Sequence, residues 1–253
     1  MKLAVIGDPV EHSRSPALHG TFLQEAGIDD GNYAAIRVPR GKALEALTSL
    51  RDQQYTGVNV TYPLKEEALI ACEELTEDAQ LAQAVNTIFF GRKILGHNTD
   101  GIGARSALEQ ILGQAVALER IGVLGTGATA RAIFAQLRET DAYAFVWGRD
   151  DKKIAAICER LEARPWPAST PEIMISTLPP DAELVPDILE ALRTADCVMD
   201  TNYGLRSTLG RAVQREVIDG TLMLEAQARA SFDFWLAHAQ ASVEEELGGA
   251  EVP

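Results

Sequence analysis

Cysteine is scarce and scattered in this chain: Cys72, Cys158 and Cys197 are odd in number, lie far apart and show no CxxC spacing. That excludes a disulfide framework and a zinc site of the usual spacing, and leaves buried thiols as the expectation. Histidine is as thin, with His12, His19, His97 and His238 nowhere in HxxxH spacing, so no metal is expected. Long apolar runs are missing. Residues 3–6 form a short one that stops at Gly7 and Asp8, too brief for a signal peptide, and nothing after it is long enough to span a bilayer. Positive charge is in deficit, with 23 Lys and Arg against 37 Asp and Glu and a formal net charge of −14. Nucleic acid and anionic membrane surfaces would be repelled, and an anionic ligand must be met by local donors. The expectation these absences leave is a cytoplasmic globular protein. Its 253 residues suffice for one large or two moderate domains.

Against these absences stands residues 57–65, Gly-Val-Asn-Val-Thr-Tyr-Pro-Leu-Lys. It opens as a β-branched strand run (Val58, Val60), carries Asn59 and Thr61, and meets Pro63, which suits a first helical position. A strand that ends where a helix begins is where an open α/β sheet places ligands. Lys65 then falls in the first turn of that helix, where the macrodipole disfavours a cation. A second stretch, residues 96–101 (Gly-His-Asn-Thr-Asp-Gly), puts Asp100 between a short strand and a helix over residues 102–112, where an N-cap role would also account for it. An ammonium held by a carboxylate can exchange a proton with an oxygen that alternates between ketone and alcohol.

Elsewhere strand and helix alternate: strands at 3–6, 33–38 and 57–61, helices at 17–26 and 43–50, as in βαβ units with a mainly parallel sheet. Ser15 and Pro16 suit the N-cap and N1 of the first helix. Residues 88–90 and 94–95, joined by a turn at 91–93, read as a hairpin at the sheet edge. A domain boundary fits near residue 101 or 115. Residues 120–125 form a new strand leading into Gly125-Thr126-Gly127-Ala128-Thr129-Ala130, a GxGxxA dinucleotide fingerprint followed by a helix to 137 and a strand at 143–147. Arg149 sits where the ribose is read and favours a 2′-phosphate, while Asp150 suits a free 2′-hydroxyl, so NADP and NAD stay open here. Further strands fit at 173–176, 197–199 and 222–224, the last before a helix on which Phe232 and Trp235 pack. The acidic tail after Ser242 is expected to fray.

Taken together these motifs resemble the shikimate dehydrogenase family, over residues 3 to about 235. Its opening signature, GxPxxHSxSPxxH, is matched by Gly7, Pro9, His12, Ser13, Ser15, Pro16 and His19. NVTxPxK is complete over 59–65, AVNT over 84–87 and GxNTDG over 96–101, and GxxMLxxQ appears as Gly220, Met223, Leu224 and Gln227. The resemblance implies an α/β fold of two domains, a substrate and catalytic domain (1–101 and 220–253) and a Rossmann NAD(P)-binding domain (102–219), with the active site in the cleft between them. It makes Lys65 and Asp100 the catalytic pair, and Ser13, Ser15 and Tyr203 the binders of a carboxylate. Thr61, Asn86, Asp100 and Gln227 become readers of ring hydroxyls. Gly125, Thr126, Gly127, Ala128, Thr129, Arg149 and Met223 become the cofactor site. The implied reaction is reversible reduction of 3-dehydroshikimate to shikimate with NADPH in aromatic amino-acid biosynthesis, by a monomer or homodimer.

The chain departs from the family pattern in several places. Ala128 stands where the usual GAGGA loop has a glycine, Gly148-Arg149-Asp150 replaces NRT, and Leu205 replaces the proline after Tyr203. Gly20 and Ala228 replace an asparagine and a glycine. NADP is the first expectation, and Asp150 invites the related NAD-using quinate/shikimate type. A non-catalytic sensor has no use for Lys65 and Asp100, and a Rossmann-like methyltransferase leaves the N-terminal signatures unexplained.

Overall fold

The computed structural model describes residues 1–248 and consists of two compact units, Met1–Thr99 with the chain from Gln227 onward, and Asp100–Ala226. The first unit runs β1 (Lys2–Gly7), α1 (Ser15–Glu25), β2 (Asn32–Arg37), α2 (Ala43–Asp52), β3 (Gly57–Val60), a 3-10 turn (Glu67–Ala71), β4 (Glu74–Leu75), α3 (Glu77–Ala82), β5 (Thr87–Phe90) and β6 (Ile94–His97). Its sheet has the order β2-β1-β3-β5-β6-β4. The β1/β2, β1/β3 and β4/β6 pairings are parallel, and β3/β5 and β5/β6 are antiparallel. Register places Asn59 opposite Thr87, and Thr87 opposite His97. Partners directly opposite share a face, so three polar side chains line up across the middle of the sheet.

The second unit runs α4 (Asp100–Leu112), β7 (Arg120–Leu124), α5 (Ala128–Leu137), β8 (Tyr143–Trp147), α6 (Asp151–Leu161), β9 (Arg164–Pro165), β10 (Ile173–Ser176), α7 (Pro186–Thr194), β11 (Cys197–Asp200), a 3-10 turn (Gly204–Arg206), α8 (Leu209–Val213) and α9 (Thr221–Gly248). From Gln227 onward α9 belongs to the first unit. The sheet order is β11-β10-β7-β8-β9, parallel throughout. Its strands are apolar on both faces, with Ile121, Val123, Leu124, Val146, Met174, Ile175 and Val198 buried, as helix-covered parallel strands require. Strand order reverses beside β7, which is where such sheets hold ligands.

Two cores flank the sheet of the first unit. Ile6, Leu47, Leu50, Val58, Val60, Leu64 and Ile88 form one with α2 and the 3-10 turn, and Leu3, Phe22, Leu23, Phe89, Phe232 and Trp235 form the other with α1 and α9. The Trp235 indole N–H donates to the Ile88 carbonyl at 2.8 Å, tying the returning helix to β5. Phe232 and Trp235 are both fully buried, the packing role their spacing suggests.

Several sequence expectations are corrected. Arg14, not Ser15, is the N-cap of α1, and Ser15 and Pro16 open the helix. The Arg14 backbone is already helical, and the Ser15 N–H donates to Ser13 Oγ instead. Lys65 is not in the first turn of an α-helix: Pro63 lies in a turn that the Leu64 N–H closes onto the Thr61 carbonyl, and the next segment is the 3-10 turn, which begins at Glu67. β4, two residues long, covers the hairpin of β5 and β6, which is therefore not at the edge. Residues 222–224 are helical, because the Asp219 carboxylate accepts the Thr221 N–H and starts α9 there. The strand-like contact falls earlier, as a bridge between Met199 and Ile218. The expected fraying after Ser242 meets a helix that continues to Gly248, and the rest of that tail lies outside the described residues. Among the described residues no helix is long and apolar enough to cross a membrane.

Trp235→Phe removes the indole donor and leaves the Ile88 carbonyl buried without it. The variant should lose about 1–3 kcal/mol, read as a lower urea midpoint by circular dichroism. An unchanged midpoint would show that α9 is held by packing alone.

Candidate active site

In the first unit the ends of β3, β5 and β6 and the turn of α9 at Gln227 converge on a buried polar cluster. Asn86 Oδ1 accepts from the Thr99 backbone N–H at 2.9 Å and from the Thr87 hydroxyl at 2.9 Å. A backbone N–H can only donate, so the sense of the Asn86 amide is fixed, and its Nδ2 donates to Thr99 Oγ1 at 3.0 Å and Gln227 Oε1 at 3.5 Å. Asn59 is fixed in the same manner. The Tyr33 hydroxyl donates to Asn59 Oδ1 at 2.7 Å, and Asn59 Nδ2 donates to the Asn86 carbonyl at 3.0 Å. Thus Asn86 and Gln227, both expected at the site, are brought together. Asn59, Thr87, Thr99 and Ser231 join them; the first three lie in the motifs at 59–65, 84–87 and 96–101, and Ser231 lies in none.

His19 lies under this cluster, fully buried, stacked on Tyr33 at 4.3 Å with an interplanar angle of 3°. Neither of its ring nitrogens has a partner at good hydrogen-bond geometry, and burial lowers its pKa to about 3, opposed by the nearby Asn59 side chain. Burial likewise raises the Tyr33 phenol well above its ordinary value, opposed by a hydrogen bond from Ser15. Both rings are therefore neutral at pH 7. Ser13 and Ser15 occupy the turn into α1, where Ser13 Oγ accepts the Ser15 N–H at 3.2 Å. Thr61 and Lys65 follow β3. The Thr61 N–H donates to the Ile6 carbonyl at 2.9 Å, the Asp8 N–H to the Tyr62 carbonyl at 3.0 Å, and the Val85 N–H to the Lys65 carbonyl at 2.8 Å. These backbone bonds draw the 7–8, 61–65 and 84–87 motifs together.

In the second unit Asp100 is the first residue of α4 rather than its cap, and is buried. The Thr129 hydroxyl donates to Asp100 Oδ2 at 3.3 Å, so a residue expected at the cofactor also holds the carboxylate. The two helices that carry them pack closely: a Cβ on Gly101 would lie 2.2 Å from the Ala132 carbonyl oxygen, which explains the last glycine of the 96–101 motif. Gly125 has φ +122°, and a Cβ there would lie 2.2 Å from Thr177 Oγ1. Gly127 is the N-cap of α5 and offers no side chain to its first N–H groups. A Cβ on Gly127 would meet no neighbour within 4 Å. A tight turn, open space over the second glycine and a helix N-terminus fit the pyrophosphate of a dinucleotide, with Ala128 in place of glycine no obstacle inside the helix.

Arg149 is exposed after β8. Asp150 caps α6, accepting the N–H groups of Lys152 at 3.0 Å and Lys153 at 3.2 Å. Met223 is buried on α9. Tyr203 lies half-buried in a loop held by two carboxylates. Asp200 accepts the Asn202 N–H at 3.0 Å and the Ser207 hydroxyl at 3.2 Å, and Asp219 accepts the Gly204 N–H at 3.3 Å. These replace the fixing that a proline at Leu205 would supply, and Leu205 itself is almost wholly exposed. Among the described residues no group of three or more His, Cys, Asp and Glu is placed to hold a metal ion.

A family model described as the shikimate dehydrogenase substrate binding domain matches residues 5–88. A shikimate dehydrogenase (NADP(+)) from Methanothrix thermoacetophila is 35% identical over 245 residues, covering 92% of this chain and 90% of the relative. One from Methylobacillus flagellatus is 33% identical, covering 92% and 93%. Among solved structures, the shikimate 5-dehydrogenase of Thermus thermophilus in complex with NADP(H) and shikimate superposes with a TM-score of 0.81 at 30% identity, covering 93% of each chain.

The buried neutral His19 makes the fold sensitive to acid. Its folded pKa of about 3 lies below the ordinary histidine value of 6.5, so the unfolded chain takes up the proton first, and stability present above pH 6.5 declines as pH falls toward 3. His19→Phe keeps the stack and removes the titration. Between about pH 7 and about pH 4.5 it should lose about 2–3 kcal/mol less than the parent protein, measured by urea unfolding at each pH. An equal acid-side loss in both would exclude His19 as its source.

Proposed function

The chain belongs to the shikimate dehydrogenase family, and on that premise we propose that it catalyses the reversible NADPH-dependent reduction of 3-dehydroshikimate to shikimate. The observation that carries this reading is the buried cluster around Asn86 and Gln227, whose amides are fixed in sense by Thr99 and the hydroxyls about them. A ring bearing several hydroxyls needs fixed donors and acceptors, and an analogue lacking one leaves a buried amide unpaired.

In this reading Ser13, Ser15 and Tyr203 donate hydroxyl protons to the substrate carboxylate. Thr61, Asn86 and Gln227 align the ring through its hydroxyls. Lys65 gives a proton to the oxygen that becomes the alcohol and recovers it in the reverse direction, and Asp100, held by Thr129, orients the ammonium. When bound, the nicotinamide supplies the hydride. The backbone of Gly125, Thr126, Gly127, Ala128 and Thr129 receives the pyrophosphate, Met223 borders the nicotinamide and Arg149 meets the 2′-phosphate. Asp150 is occupied as the cap of α6, which supports NADP over NAD and takes away the main ground for the NAD-using quinate type. The same reading carries a cytoplasmic setting and a monomer or homodimer.

The direct test follows the near-ultraviolet absorbance of reduced nicotinamide with shikimate and quinate, each against NADP and NAD. Turnover is expected with shikimate and NADP. Turnover confined to quinate or to NAD would sink the assignment. Lys65→Ala should lower kcat by about 10²–10⁴-fold with NADP affinity retained, and parental kcat in that variant would remove Lys65 from proton transfer. Arg149→Ala should weaken NADP by about 10-fold to 100-fold and leave NAD nearly unchanged. Equal losses for both would take Arg149 away from the 2′-phosphate.

A further inference from the structure

Ser231 is fully buried on α9, one turn beyond Gln227. Its hydroxyl lies 2.8 Å from Thr87 Oγ1 and 3.0 Å from Thr99 Oγ1, accepts from Asn59 Nδ2 at 3.1 Å and donates to the Gln227 carbonyl at 3.0 Å. One small side chain thus touches β3, β5, the residue preceding Asp100, and the helical turn of Gln227. A serine on a helix ordinarily satisfies itself through the carbonyl four residues back. That account needs only the Gln227 contact and leaves the other three unexplained.

The groups around Ser231 have a definite polarity. Tyr33 and the Asn86 carbonyl fix Asn59 with its Nδ2 toward Ser231. The Thr99 N–H fixes Asn86 with its Nδ2 toward Gln227 Oε1, which also accepts from the Thr99 hydroxyl at 3.4 Å. The Asn86 amide therefore claims the oxygen of the Gln227 amide, and the one proton of the Thr99 hydroxyl is shared between that oxygen and Ser231 Oγ at 3.0 Å. For this to persist, the turn of α9 that carries Gln227 must keep its rotation and height over β5. Ser231 bonds that turn to β3 through Asn59 and lies against Thr87 and Thr99, at shorter distances than those that reach the Gln227 side chain itself.

We propose that Ser231 is a positioning residue for Gln227: it joins the Gln227 turn of α9 to Asn59, Thr87 and Thr99, so that Gln227 offers an N–H and not a carbonyl to a ring hydroxyl of the substrate. This rests on the functional reading above, in which Gln227 meets the substrate. Ser231 touches no reacting atom. Its contribution is to recognition, and it is exerted through Gln227.

The experiment is a double-mutant cycle on the full chain, with Ser231→Ala and Gln227→Ala singly and together, and Ser231→Cys as a variant that keeps volume but hydrogen-bonds weakly. Ser231→Ala and Ser231→Cys should each raise KM for shikimate by about 5-fold to 20-fold, with kcat within about 2-fold and KM for NADP unchanged. In the Gln227→Ala background, Ser231→Ala should add nothing to KM, since its route to the substrate is already gone. Parental KM in both Ser231 variants overturns the proposal, and so does the same multiplicative loss with and without Gln227, which marks a purely structural role. Should Ser231→Ala fail to fold, Ser231→Cys runs the same cycle. The parent protein in the same assay keeps the two readings apart: no shikimate turnover there overturns the function, whereas parental turnover with an additive cycle overturns only the role of Ser231.

Discussion

The hydrogen bond from the Thr99 backbone N–H to Asn86 Oδ1 sets the sense of the Asn86 amide and, through it, of the Gln227 amide. An amide side chain in a buried cluster has two nearly isosteric orientations, and only a partner of invariable character chooses between them. A backbone N–H is such a partner. Once Asn86 is chosen, the acceptor end of Gln227 is chosen with it, and on the other side Tyr33 and the Asn86 carbonyl do the same for Asn59. In a low-dielectric interior these choices are costly to reverse, because a flipped amide sets donor against donor and acceptor against acceptor. The fold supports this by register: β3 and β5 place Asn59 opposite Thr87, and the buried Trp235 indole keeps α9 against β5.

The second unit meets charge with backbone instead. A chain with a formal charge of −14 cannot draw an anionic cofactor by its overall field. The turn at Gly125 and the start of α5 supply local N–H groups at the reversal of strand order, and Arg149 adds one exposed cation. Asp150 would oppose a phosphate were its carboxylate turned outward, but it is bound to two N–H groups of α6. Thr129 joins the two tasks proposed for this unit, since it lies in the first turn of α5 and holds Asp100.

Much of this was legible in the sequence where the cause is local. The strands at 143–147 and 173–176 coincide with β8 and β10, because continuous apolar runs bounded by turn formers leave little choice. The glycine loop was legible for the same reason. What was not legible depends on partners far away in the chain. Ser231 on an apolar helix and Tyr33 on a half-exposed strand carry no local signature, and their roles exist only through Asn59, Thr87 and Thr99. Residues 222–224 are apolar enough for strand or helix, and Asp219 decides the matter by capping. Pro63 suits a helix start and a turn equally, and the turn prevailed because backbone bonds pull residues 61–65 toward both the 7–8 and the 84–87 motifs. Asp150 is the instructive case: the fingerprint drew attention to the ribose, whereas the structure makes it the cap of α6.

For the proposed substrate, recognition by neutral groups has a consequence that recognition by charge would not. A lysine or arginine swings on a flexible stem to follow a displaced oxygen, so a wrong hydroxyl arrangement costs little. An amide whose sense is fixed by Thr99 or Tyr33 cannot turn to suit an analogue, and a missing or inverted hydroxyl leaves a buried donor or acceptor unpaired at about 1–3 kcal/mol for each group. The neutral His19 beneath Tyr33 belongs to the same logic, since a charged imidazolium there would draw nearby acceptors toward itself. Discrimination then scales with the rigidity of the amides and not with the number of contacts. It is built in the layer of Tyr33, Thr87 and Ser231 that lies behind the residues meeting the ligand.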